Sequence, residues 1–259
     1  MNIKFDGGEA DEHLIEAYFG SESLSGMSRA ATLVAHYAAT GEVRHRAPYS
    51  DDLQFFLEAP ANGSLQFPLS VIARTAGALG NHRKKLAIAL LSLILARATG
   101  QAPESALTIG DQIVKSGDVD ALAEAAAPGL LRAHAWINDA AKSIKFDHDA
   151  GPVTLTAATK IYMETEYLGD RNSQDVSVAA LNGNSKIGRV YFNELNRTVP
   201  FKVAKEAAGR TVANLSRYLV HYVNKSGATV NIDYQPVYFP DDRLKRILIF
   251  DCYPIDDAA

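Results

Sequence analysis

The chain has 259 residues, 47% hydrophobic and 22% charged, with a net charge of −4. Those fractions match folded proteins, so a disordered, collagen-like or mucin-like chain is excluded, and one large or two ordinary domains are expected. A single cysteine, Cys252, cannot close an intramolecular disulfide, and residues 1–6 lack the apolar stretch of a signal peptide, so the expectation is a reducing, cytoplasmic compartment.

Residues 2–5 alternate polar and apolar and end at Asp6-Gly7-Gly8, which reads as a short strand and a turn. Helical spacing follows in residues 9–19 and again in 28–40, with Gly41 as the stop and the Ser/Gly-rich residues 21–26 as a break between two helices. Leu53, Phe55 and Leu57 share one face of an alternating stretch. Leu65, Phe67 and Leu69 repeat the pattern beyond Asn62-Gly63, so a hairpin is predicted.

Residues 71–98 are apolar on nearly every side and read as a helical pair broken at Gly80-Asn81. Their uncharged run, 86–96, is 11 residues long, whereas a helix needs roughly 20 to cross a bilayer. A core role is therefore expected, with Arg83, Lys84 and Lys85 as candidates for assembly or head-group contacts if the 69–98 segment is instead a membrane-active or self-assembling hairpin. Residues 104–115 and 118–141 read as two more helices, the second kinked or split at Pro128-Gly129. The polar turn at 147–152 marks a boundary. The expected division is an α+β domain over 1–150, a linker over 151–172 and a small barrel over 173–259.

Beyond that boundary the period changes to two. Residues 175–181, 188–193, 198–203, 229–238 and 244–253 read as strands rich in Val, Ile, Phe and Tyr, and residues 206–223 as an amphipathic helix. Five strands with a helix between the third and fourth is the element order of an OB-like barrel; an SH3-like barrel fits the same string. The fold class predicted is thus α+β, a mostly helical first domain with a strand and hairpin, followed by a five-stranded β-barrel with one helix.

The net charge conceals a division. Residues 1–170 carry 14 Lys+Arg against 21 Asp+Glu, and residues 171–259 carry 12 against 9. In the basic half, Arg210, Arg217 and His221 share one face of the predicted helix, and Lys245 and Arg246 lead into the last strand. Aromatics such as Tyr191, Phe201 and Tyr234 interleave with them. Basic grooves with stacking aromatics are how barrels hold single-stranded nucleic acid, so these five residues are the candidate nucleic-acid or anion site.

Signatures of catalysis are missing. No G-x-S-x-G elbow, phosphate loop or i, i+4 histidine pair occurs, so no catalytic residue, metal ligand or cofactor is assigned. Asp147-His148-Asp149 is the densest polar triplet and reads as a solvated turn; Arg44-His45-Arg46 reads as a surface charge cluster. Gly7-Gly8 reads either as a tight turn or as backbone N–H groups offered to an anion, and Cys252 as a small apolar strand residue.

Phe5-Asp6-Gly7-Gly8-Glu9-Ala10-Asp11-Glu12-His13-Leu14, the later Asn62-Gly63-Ser64-Leu65-Gln66-Phe67-Pro68-Leu69 and the β-rich end together resemble a set of bacterial proteins, some linked to conflict with phages. Leu65 stands where that set often has an aromatic. The resemblance implies no residue-level activity. The expectation is a non-enzymatic bacterial protein that binds a protein partner or itself as a homo-oligomer, in an anti-phage or prophage system. Alternatives are a single-stranded nucleic-acid-binding protein using the barrel, and a membrane-disrupting effector using residues 69–98, with a membrane partner the less expected.

Overall fold

A computed structural model describes residues 1–60, 65–101, 108–109, 112–114, 116–147 and 152–254. The chain forms two compact units, residues 1–164 and 165–259. The division falls inside the expected 151–172 interval, but residues 153–164 belong to the first unit rather than to a linker.

The first unit opens with β1 (Asn2–Asp6), whose Ile3 and Phe5 face the core while Asn2, Lys4 and Asp6 face outward. A short 3₁₀ turn, Gly8–Glu12, precedes α1 (Ala17–Thr40), capped by the Glu16 carboxylate accepting from the Tyr18 and Phe19 amides. Then come β2 (Leu53–Leu57), β3 (Gln66–Ala73), α2 (Gly77–Ala98), the two-residue strands β4 (Thr108–Ile109) and β5 (Gln112–Ile113), α3 (Ser116–Ala133), β6 (Ser143–Asp147), β7 (Val153–Leu155) and α4 (Ala157–Glu164). The main sheet runs β2-β3-β1-β6-β7, antiparallel throughout. One face of it is covered by helices: Leu90, Leu91 and Ile94 of α2 and Leu122 and Leu130 of α3 share a core with Ile3, Phe5, Ile144 and Phe146. The other face carries the ladder Lys4, Asp6 and Lys145, in which both lysines hold the Asp6 carboxylate below its usual range.

Several expectations are corrected here. The predicted break at 21–26 lies within the unbroken α1, because its small residues serve packing rather than termination. A Cβ on Gly26 would stand 2.3 Å from the Gly129 carbonyl oxygen and 2.5 Å from the Ala133 nitrogen of α3, so the two helices meet backbone to backbone. Likewise, residues 71–98 form no helical pair. Val71–Ala73 complete β3, and Gly80 lies inside α2, where a Cβ would meet the Thr75 carbonyl oxygen at 1.9 Å. The element on which a membrane-disrupting hairpin over 69–98 depended is therefore a strand and a single helix, and among the described residues no helix is long and apolar enough to cross a membrane. Pro128 sits within α3 without dividing it. The described parts of 104–115 are paired strands, not a helix. The 53–57 and 66–73 hairpin is as expected, with Phe55 opposite Val71; its Asn62-Gly63 turn lies outside the described residues.

The second unit consists of β8 (Tyr167–Leu168), β9 (Asn172–Asn182), β10 (Ile187–Phe192), β11 (Arg197–Val203), α5 (Thr211–Val223), β12 (Val230–Tyr238) and β13 (Leu244–Pro254). Strands follow the order β13-β11-β10-β9-β12, and β12 also pairs with β13, which closes a five-stranded barrel; β8 adds to β12 outside the ring. The third and fifth barrel strands, β11 and β13, run parallel, and every other pair is antiparallel. This is the strand order of an OB-like barrel, so the α+β class with a C-terminal five-stranded barrel is as expected. Alternate residues of each strand, Val176 and Val178, Val190 and Phe192, Val199 and Phe201, Ile247 and Ile249, fill the interior with Leu215 and Tyr218 of α5.

Candidate nucleic-acid interface

The outward residues of β10 and β11 follow from the same alternation. With Val190, Phe192, Val199 and Phe201 inside, Arg189 and Tyr191 of β10 and Thr198, Pro200 and Lys202 of β11 face out. Arg189 is held in place, its Nε donating to the Thr198 hydroxyl at 3.0 Å and its Nη2 to the Thr198 carbonyl at 3.0 Å. The Tyr191 hydroxyl donates to Asn196 Oδ1 at 2.6 Å, so the ring is anchored at the β10–β11 turn. Lys202 is exposed opposite Ile187, and Lys186 is exposed in the β9–β10 turn. In OB-like barrels the face of the second and third strands, with the loops after the first and fourth, is where oligonucleotides and oligosaccharides lie. An oriented guanidinium, an aromatic ring and a free ammonium on that face can meet phosphate and base together.

The second loop adds a stack rather than a free cation. Phe239 lies under Arg243 at 5.5 Å and Lys245 at 4.9 Å, and Arg243 is paired with Asp241 at 2.6 Å. Beside the β10–β11 turn that anchors Tyr191 the chemistry reverses. A shallow groove of about 430 Å³ between β9, β12 and the β10–β11 turn is lined by Asp175, Glu194 and neutral amides, and two carboxylates there disfavour phosphate.

The five predicted site residues do not form one surface. Arg210 precedes α5 and gives both Nε and Nη2 to the Asp251 carboxylate, at 3.0 and 2.6 Å, while its guanidinium lies over the Tyr253 ring. That pairing holds Asp251 down to about 2 and Arg210 above its ordinary value. Lys245 and Arg246 both bind Glu166, at 2.9 and 2.7 Å, so their charges are committed inside the unit. Arg217 is exposed on α5, and His221 packs against Tyr218, its Nδ1 3.3 Å from the Ser226 hydroxyl. Arg189, which sequence reasoning passed over, was findable: the period-two pattern of 187–192 already sets it on the Tyr191 face.

In the first unit, Arg83 lines a pocket of about 460 Å³ with His82, Leu79 and the end of α1, whereas Lys84 and Lys85 line none of the described pockets. Gly7-Gly8 offers no free anion cradle, for the Gly7 amide donates to Asp11 Oδ1 at 3.0 Å. His148 and Asp149 lie outside the described residues, and among those described no group of His, Cys, Asp and Glu could hold a metal ion. Cys252 is buried, and its thiol is pushed up to about 12 by burial, the reverse of a nucleophile's environment. Deeply buried His134 donates from Nδ1 to the Leu130 carbonyl at 2.7 Å, with Nε2 2.8 Å from the Thr159 hydroxyl. Burial holds it below its usual range, so it is a neutral structural tie between α3 and α4.

Comparison with known families divides the chain at the same place. A family model described as Domain of unknown function (DUF7946) matches residues 1–164, and one described as Family of unknown function (DUF7947) matches residues 170–252. No curated protein and no solved structure matches the chain.

Proposed function

The chain belongs to the family described as Domain of unknown function (DUF7946), and we propose that it acts by binding rather than by catalysis, its barrel holding a single-stranded nucleic acid across β10 and β11. The observation that carries this reading is the outward set Arg189, Tyr191 and Lys202 on the second and third strands of an OB-like ring. Strand order places this face by analogy with OB-like folds, and the side chains supply its chemistry. Its setting, on the resemblance of residues 5–14 and 62–69, is conflict between bacteria and phages.

The test is retention of a fluorescent oligo-dT or oligo-U by the full chain at rising salt. Phosphate contacts release counterions, so affinity should fall steeply as salt rises. Tyr191→Ala should weaken binding by roughly tenfold, as expected for one lost stacked base. Lys202→Ala should flatten the salt slope by about one unit. No retention at low salt, or binding indifferent to salt, removes the reading and favours a neutral oligosaccharide.

Self-assembly is a second reading, favoured by Val220 and Val223, one helical turn apart on α5 and 58% and 69% exposed. Native mass measurement of the same samples reports copy number alongside bound strand. A multimer that Val223→Glu returns to one chain supports it.

A further inference from the structure

Among the described residues, the sheet of the first unit ends at β2 with an edge that no strand covers. Two hydrogen bonds reveal which backbone groups that edge presents. The Arg74 amide donates to the Asp52 carbonyl and the Glu58 amide to the Pro68 carbonyl, so residues 52, 54, 56 and 58 bond toward β3. The N–H and C=O groups of Leu53, Phe55 and Leu57 therefore point outward. Natural sheet edges are commonly guarded by charge, proline or a bulge, and Leu53-Gln54-Phe55-Phe56-Leu57 contains none of these.

A pocket of about 360 Å³ runs beside this edge, walled by Thr32 and Ala35 of α1, by Tyr49 and Ser50 of the preceding loop, and by Leu53 and Phe55. The Tyr49 ring leans on His36 at 5.9 Å, and its hydroxyl is buried without a hydrogen-bond partner. Such an orphan lowers stability until something supplies the missing bond. We propose that β2 and α1 form a groove that takes an extended peptide of a partner protein as an added strand, neutral along residues 53–57 and basic at both ends.

Charge selects this occupant. Exposed Asp51 and Asp52 stand at the start of β2 and Glu58 at its end, so a peptide lying in either direction meets carboxylates at both termini. A second copy of the chain is disfavoured by the same residues. Antiparallel self-pairing about Phe55 sets Asp52 opposite Glu58 of the other copy, and parallel pairing aligns the acids with themselves. Backbone bonds along the edge supply affinity, and the Tyr49 pocket takes one alternate side chain and its polar group. This reading concerns the first unit and does not depend on nucleic-acid binding by the barrel.

The experiment is selection from a phage-displayed library of randomised heptapeptides on the full chain, followed by synthesis of the enriched peptides. Enriched peptides should carry Lys or Arg at both ends of a neutral centre, and N-methylation of alternate amides should weaken them roughly tenfold or more, as lost backbone bonds require. Filling the groove with Thr32→Phe, a change at an exposed helix position, should abolish binding while fluorescence of Trp136 is kept. Tyr49→Phe should reduce it less. The proposal is overturned if nothing enriches, if the enriched peptides are acidic or indifferent to N-methylation, or if the chain is a dimer that Phe56→Lys separates.

Discussion

The two units solve the same problem, burying one face of a sheet, with different materials. The barrel closes its sheet on itself, so each strand contributes alternate large residues such as Phe192, Phe201 and Ile249 to an interior that α5 joins with Leu215 and Tyr218. The first unit leaves its sheet open and covers one face with helices, of which α1 meets α3 backbone to backbone, Gly26 against Gly129 and Ala133. Side-chain volume fills both interiors, and the first unit adds a close backbone approach between α1 and α3. Loss of bulk at a buried centre therefore tests the barrel, and added bulk at the helix contact tests a device that only the first unit is shown to use.

The largest effect is expected from Phe201→Ala, which empties the centre of the barrel and should cost about 3–5 kcal/mol of its stability. Hydrogen exchange of β9–β13 should report the loss, while fluorescence of Trp136, the only tryptophan, should show the first unit melting unchanged. A shared loss would mean that the units do not unfold independently. Next is Gly26→Val, which forces a side chain into the Gly129 carbonyl and should cost the first unit about 3 kcal/mol. Here the Trp136 transition should drop and the barrel amides stay protected. If Val is tolerated at that position, the backbone contact of α1 with α3 is not what holds the layer together.

Acid provides the mildest separation. His134 is held neutral by burial, so the unfolded chain takes up its proton first, and the first unit should lose stability as pH falls below about 6.5. Asp251 is depressed to about 2, so the stability that its pair with Arg210 gives the barrel is present above about 4 and lost as pH falls through 2. Melting followed by Trp136 should thus begin to shift at mild acidity, and by barrel amides only in strong acid. His134→Gln should reduce the first of these responses, the remainder belonging to His36, which burial also holds below its usual range. An unchanged Trp136 curve between pH 7 and 5 would contradict the assignment.

The same contrast explains what could be read from residues alone. Period-two alternation located all five barrel strands within about three residues of their ends, because a closed sheet with a dry interior imposes its pattern on every strand. In the first unit, glycine and serine in 20–26 and glycine at 80 carry two meanings, chain break and helix contact, and only tertiary packing decides between them. Local composition likewise could not tell that Arg210, Lys245 and Arg246 each have an acid waiting in a distant segment. The β2 groove is a further case: Tyr49 and the outward amides of Leu53 and Phe55 become a site only through register and through a helix that arrives from elsewhere in the chain.

Glu166 lies two residues into the second unit yet ahead of the stretch that the second family model matches, and it occupies both Lys245 and Arg246. Dissection of the protein at residue 170 would therefore remove the carboxylate that these two cations share and take β8 from the flank of β12. Such a fragment would bind polyanions for a reason the whole chain does not have. Measured side by side, fragments starting at 165 and at 170 separate affinity that belongs to the β10–β11 face from affinity manufactured by the cut.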